Sequence, residues 1–369
     1  MKHSAPGRWL RLAAPLCLLF LSPTGVRAGQ DGDVSLPELL RQLPDGDGAE
    51  ARLPMLGPAD EPALSAALRD RDVRVRRRAA TLLERIGPRT SAAALSDALR
   101  DPDVPVRVYA ALALLRAGSG TESVLPAFLA GLKDPDTAVR VKAADGVQRL
   151  GPAGADAVPL LASVLRHPSD QLRATAADAL IAIGEPAVPV LVEWARAPEE
   201  PARLEALVAL GRVGPVAAPA ARAMAKALAD PSAAVRAGAA GVLAKIGAGA
   251  TPAIPALIHA LEDPSVAVRT STAAALGAIG PEASSAAEAL EDVMGRDADP
   301  EVRRAASDAL ARIGAGDVAV PPRSTALEHA VPPGRRTHLV GLALVASGIV
   351  LVVVCSFLLW ARTTRSTGS

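Results

Sequence analysis

Residues 230–247 read DPSAAVRAGAAGVLAKIG, and residues 263–280 read DPSVAVRTSTAAALGAIG, thirty-three positions further on. The two stretches share an Asp-Pro start, a Val-Arg pair, small residues in the middle and a closing Ile-Gly. Working outward from them, the same arginine recurs as Arg76, Arg107, Arg140, Arg173, Arg203, Arg236, Arg269 and Arg303, with spacings of 30 to 34 residues. Eleven residues after each comes a glycine: Gly87, Gly118, Gly151, Gly184, Gly214, Gly247, Gly280 and Gly314. A fixed period of this length marks a repeat architecture, in which each unit covers the apolar face of its neighbour.

Within a unit the apolar positions fall at −1, +3, +7 and +10 from the arginine, as in Val235, Ala239, Leu243 and Ile246. Those positions share one face of a helix, so each arginine-bearing stretch reads as an amphipathic helix with a buried stripe. The glycine stops it, since the left-handed conformation of a helix end is cheap only without a Cβ. Pro88, Pro152, Pro215 and Pro281 then prevent continuation. A second helix fills each gap, predicted at Ser91–Leu99, Val124–Leu132, Val158–Leu165, Val188–Ala195, Pro219–Leu228, Ala253–Leu261 and Ala286–Met294. Six units carry an acid six residues before the arginine, suited to accept from free backbone N–H groups at the turn.

This pattern resembles HEAT repeats, particularly the HEAT-like subgroup named for phycobilisome lyases, across residues 58–314. The resemblance implies an all-α, right-handed-type superhelical solenoid of about eight helix-turn-helix units. It also implies a hydrogen-bonded ladder along the stack, with pairs Asp70/Arg76, Asp101/Arg107, Asp134/Arg140, Asp230/Arg236, Asp263/Arg269 and Asp297/Arg303. The fourth and fifth units depart from it, because His167 and Ala197 replace the acid. Residues 29–57 are expected to form a degenerate capping repeat.

Both ends of the chain read differently from its body. Lys2, Arg8 and Arg11 precede the apolar run Leu12–Leu21 and the small-residue site Val26-Arg27-Ala28, the pattern of a signal peptide over residues 1–28. Leu339–Trp360 is 22 residues without a charge, long enough for a transmembrane helix. Residues 315–338, with four prolines, read as a juxtamembrane linker, and residues 361–369 as a short cytoplasmic tail. The expected arrangement is a single-pass membrane protein with its solenoid extracytoplasmic. The two ends hold 8 of the 40 basic residues and no acid, so the body carries 32 bases against 39 acids, a net of −7. An acidic body offers a phosphate backbone no long-range attraction, so nucleic acid is not an expected partner. The only cysteines, Cys17 and Cys355, sit in the end segments, which removes disulfides, Cys-based zinc sites and thiol nucleophiles from the body.

No catalytic, metal or cofactor motif is present: there is no H-x-x-x-H, P-loop, dinucleotide fingerprint or nucleophile elbow. The di-iron pattern of HEAT-repeat deoxyhypusine hydroxylases is likewise missing. The expected function is therefore a non-catalytic protein–protein interaction scaffold on the outer side of a membrane. A lyase-like or oxidoreductase-like factor with an unrecognised site and a purely structural spacer are the alternatives. In HEAT-like stacks the arginine-bearing helices line the concave face, and their exposed stripe is expected at +2, +5 and +9. In the first three units that stripe contains Arg78 and Arg85, then Tyr109, Leu112 and Arg116, then Lys142 and Arg149. It suggests a basic groove for an acidic protein, with Tyr and Arg as the residue types that dominate interfaces. The bland reading is that a cation at +9 only complements the helix dipole. Trp194 is a further candidate, weighed against a half-buried place on a first helix.

Overall fold

The computed structural model describes residues 36–42, 56–120 and 123–314. The signal peptide, most of the capping unit, the linker, the transmembrane helix and the tail expected from the sequence lie outside the described residues. The described residues all belong to one compact unit of the chain.

After α1 (Leu36–Gln42), short and long helices alternate in eight pairs. The short ones are α2 (Glu61–Ala67), α4 (Ala92–Ala98), α6 (Leu125–Gly131), α8 (Val158–Val164), α10 (Val188–Trp194), α12 (Ala221–Ala227), α14 (Ile254–Ala260) and α16 (Ala287–Arg296). The long ones are α3 (Val73–Ile86), α5 (Val104–Arg116), α7 (Thr137–Leu150), α9 (Asp170–Ile183), α11 (Glu200–Val213), α13 (Ala233–Ile246), α15 (Val266–Ile279) and α17 (Pro300–Ile313). The described residues contain no strand. The fold is thus the expected all-α solenoid. Each long helix packs directly on its successor and forms one continuous row, whereas the short helices meet mostly through 3-10 turns.

Local chemistry sets the ends of these helices. All eight closing glycines have φ between 58° and 83°, where an L side chain would be strained. The N-cap lies two residues after the repeat's acid. Asp136 accepts from Ala138 N–H at 2.8 Å, and Asp299 from Glu301 N–H at 2.8 Å. The repeat's own acid makes a tighter turn, as Asp263 Oδ1 accepts from Ser265 N–H at 2.8 Å.

The core runs as one cluster along the stack, and the sequence stripe lies inside it: Val235, Ala239, Leu243 and Ile246 are all buried. Small residues let backbones close up. A Cβ on Gly277 would stand 2.8 Å from the Cα of Ala309, so α15 and α17 touch main chain to side-chain stub. Two 28-residue stretches, Glu200–Ala227 and Ala233–Ala260, have mean hydropathies of 1.3 and 1.4. Each is two helices joined by a 3-10 segment, and their apolar residues belong to the repeat core.

One buried acid ties the first two pairs together. Glu61 is 3% exposed, and its Oε1 accepts from the N–H groups of Arg89 (2.9 Å), Thr90 (2.6 Å) and Ser91 (2.7 Å) and from the Ser91 hydroxyl (2.8 Å). Burial pushes this carboxyl up, but those four donors outweigh it and hold it at about 2, against an ordinary 4.5. A depressed carboxylate stabilises the fold above its unfolded pKa and stops doing so as pH falls through its folded one. Glu61→Gln is therefore expected to lower the Tm at neutral pH, with the gap to wild type closing between pH 4.5 and about 2. A gap constant across that window, measured by thermal melts, would contradict this account.

Candidate functional site

The repeat arginines build a ladder, though not with the pairing the resemblance implied. Arg236 shows the regular rung. Its Nη1 donates to the main-chain oxygens of Asp230 (2.9 Å) and Pro231 (3.1 Å) in its own unit. Its Nε and Nη2 fork then donates to Asp263 Oδ2 (2.6 Å) and Oδ1 (2.9 Å) in the next unit. Arg76 binds Asp101 in this way, and Arg269 binds Asp297. Arg203 and Asp230 form a fourth rung, with Nε and Oδ2 3.0 Å apart. In all six expected pairs the arginine meets its own unit's aspartate through the backbone carbonyl: Asp70, Asp101, Asp134, Asp230, Asp263 and Asp297. Asp70, Asp101, Asp230, Asp263 and Asp297 turn their carboxylates to a preceding arginine while also receiving their own turn's N–H; Asp134 receives the N–H alone. The fork to Asp263 and Asp297 raises the pKa of Arg236 and Arg269 and depresses their partners, against the opposing effect of burial.

Arg41, on α1, opens the ladder by donating to Asp70 at 2.6 Å. Three rungs then depart from the pattern. Among the described residues the Arg107 fork meets no carboxylate, although Asp134 follows it. At Arg140 the acid's place is taken by His167, whose Nε2 lies 2.9 Å from Nη2 while its Nδ1 accepts from Ser169 N–H at 3.1 Å. A neutral imidazole has only one bare nitrogen, so it cannot serve both donors. Arg140 Nε is buried without a partner. His167→Asp supplies the missing lone pairs and is expected to stabilise the chain by about 1 kcal/mol, read as a raised Tm. An unchanged or lower Tm would count against the rung as a source of stability.

At Arg173 the rung is empty. The guanidinium is held as elsewhere, with Nη1 donating to His167 O (2.8 Å) and Pro168 O (3.3 Å), but Ala197 stands where the carboxylate would be. Its one acidic contact is Asp170 at 2.5 Å, itself 91% exposed. The Arg173 side chain is 26% exposed, against 14% for Arg236 in a complete rung. In the helix row, α5 with α7, and α9 with α11, are the two loosest seams between successive long helices. These are the two seams without a carboxylate or histidine rung.

The seam between α9 and α11 opens into a cleft of about 740 Å³. Its walls carry Ala174, Ala177 and Ile181 from α9 and Leu204, Val208 and Ala209 from α11, with Trp194 of α10 beside them. Val208 is 64% exposed, the most exposed large apolar side chain of the described residues, and Trp194 is 8% exposed. Arg173 and Glu205 line the cleft, as do Asp178 and Arg212, which are paired across it at 2.5 Å.

The basic stripe expected on the first three units is not a free surface throughout. Arg78 is buried and donates to the carbonyl of Leu40, because α1 packs over α3 and brings an unpaired helix-end carbonyl to it. Leu112 is fully buried, since α5 is covered by long helices on both sides. Tyr109 is half-buried against the core, and Lys142 is half-buried. Arg85, Arg116 and Arg149 are exposed as expected. Arg116 donates to Glu84 O at 3.1 Å, and Arg149 pairs with Asp145 at 2.8 Å. The groove predicted there is thus divided, and the cleft residues Ile181, Leu204 and Val208 were not predicted. They sit at +8, +1 and +5; the last belongs to the stripe expected to be exposed, as Ala274 at the same position of α15 also is, while Ile181 and Leu204 are half-buried like many of their counterparts in other units. No cluster of His, Cys, Asp or Glu among the described residues could hold a metal.

These elements define a class: an α-solenoid of stacked helix pairs joined by an Arg–Asp ladder. The family model for HEAT repeats matches residues 61–132, 125–211 and 221–311, and the chain belongs to that family. No curated protein matches it. Among solved structures it is similar to the CpcE–CpcF complex of a Nostoc phycocyanin lyase, at 22% identity over 42% of this chain and 98% of that one, with a TM-score of 0.36. It is similar to human deoxyhypusine hydroxylase at 23% identity, covering 70% and 97% of the two chains, with a TM-score of 0.30. It is also similar to Kap121p bound to Nup53p at 16% identity, covering 75% and 36%, with a TM-score of 0.48.

Proposed function

We propose that this chain is a non-catalytic protein-binding scaffold, held at a membrane by its C-terminal apolar segment with the repeats on the extracytoplasmic side. The observation that carries the binding reading is the cleft between α9 and α11. It lies at the loosest seam of the long-helix row and leaves Val208 open, with the buried Trp194 in its wall, beside charged groups. An apolar patch rimmed by charge is what a protein docking site needs, and a solenoid supplies the extended rigid surface around it. The charge-free span Leu339–Trp360 and the leader-like N-terminus support the location.

The test is crosslinking in native membranes with the tagged full-length chain, paired with protease treatment of intact cells. A saturable protein partner and digestion of the repeats from outside are the expected results. No partner enriched over a tag-only control would sink the scaffold reading, and repeats protected from the protease would sink the topology.

A further inference from the structure

We infer that a partner protein completes the ladder at Arg173, inserting one carboxylate side chain where this chain has Ala197, with an adjacent apolar side chain seated in the cleft. The inference rests on the scaffold reading above and names the chemistry of its ligand. Arg173 is gripped by the same two carbonyls as the arginines of the complete rungs, so its fork keeps the direction that meets a carboxylate in those rungs. Of the three departing rungs only this one has no polar side chain at the acid's position, since Asp134 follows Arg107 and His167 follows Arg140. The remaining contact, from Arg173 Nη2 to Asp170, is a solvent-exposed pair three residues apart and is worth little. A carboxylate arriving from outside would gain a charge-assisted, fork-shaped contact that costs no rearrangement of the arginine.

The cleft specifies what accompanies that acid. Ile181, Leu204 and Val208 offer an apolar surface next to Arg173. Asp170, Asp178 and Glu205 line the same space against two arginines that are already paired, so the cleft repels any carboxylate not seated directly on the Arg173 fork. The fitting segment therefore carries a single Asp or Glu among Leu, Ile, Val or Phe, rather than an acidic run.

The probe is a phage-displayed random peptide library selected on the full-length chain in detergent. Expected winners hold one acid flanked by large apolar residues. The decisive variant is Ala197→Asp, which supplies the rung from within and occupies the Arg173 fork. It should raise or keep the Tm while weakening a selected peptide at least about tenfold. Replacing the peptide's acid by its amide should weaken binding to wild type by a similar factor. A Tm of Ala197→Asp no lower than wild type, measured alongside, shows that a loss of binding is not misfolding. Peptides that bind wild type and Ala197→Asp alike would overturn the inference and leave the scaffold reading standing. A library that yields no binders would overturn both. A wild-type chain that is dimeric and becomes monomeric on Ala197→Asp would overturn it in favour of a second copy as the occupant.

Discussion

Phe128→Ala is expected to destabilise the solenoid by about 3–5 kcal/mol, the cost of deleting a fully buried aromatic ring. The reason lies in a single local fit. Phe128 on α6 lies against Gly146 on α7, where a Cβ would stand 2.7 Å from Cδ1 and closer still to Cε1 and Cζ. Gly146→Ala gains about 1 kcal/mol of helix propensity. It should nevertheless lower stability by about 1–3 kcal/mol, because the ring has no free space into which to move. Shrinking the ring makes room for that methyl group. The double variant Phe128→Leu with Gly146→Ala should therefore cost less than the sum of the two single changes. Urea melts of all four proteins give the coupling directly, and strict additivity would show that ring and glycine are not matched.

Breaking a regular rung should come next in size. Asp263→Ala removes both acceptors of the Arg236 fork and the acceptor of Ser265 N–H, at a site where the two side chains are 14% and 9% exposed. About 2–3 kcal/mol is expected, below the range for a fully buried pair because water still reaches the arginine. Arg236→Met with Asp263→Leu leaves no orphaned charge, and much of that loss should be recovered. Hydrogen exchange would place the effect at the seam of α13 and α15. Equal losses for the single and double variants would mean that the pair itself, not the stranded charge, is what matters. The same measurement distinguishes complete rungs from the Arg173 seam, whose amides should exchange faster than those at Arg236.

The departures from the regular ladder connect stability with binding. At the Arg236 and Arg269 rungs, where a carboxylate spans two units, the long helices pack closely on each other. Where Ala197 replaces it, α9 and α11 make the loosest of these seams, and Val208 faces outward. A site of this kind costs one rung of stability and gives the solenoid one distinctive place along a repetitive surface.

Much of this was legible in the amino-acid order alone. The period of 30 to 34 residues, the stripe Val235, Ala239, Leu243 and Ile246, and the stop at Gly247 determine helix pairs that must stack, because each pair has an apolar face it cannot cover by itself. The positions without a ladder acid, His167 and Ala197, could also be read off directly. Direction and cover belonged to the tertiary structure. Whether Asp263 turns to Arg269 or Arg236 depends on the stacking of neighbouring units, since both arginines lie within reach of its turn. Arg78 and Leu112 occupy helix positions that periodicity leaves exposed, yet α1 covers one and adjacent long helices cover the other. Val208 holds the same +5 position as Leu112 and stays exposed, because no neighbouring helix covers it. Helical period is set within a single helix, whereas burial at its edges is set by how closely the next helix approaches.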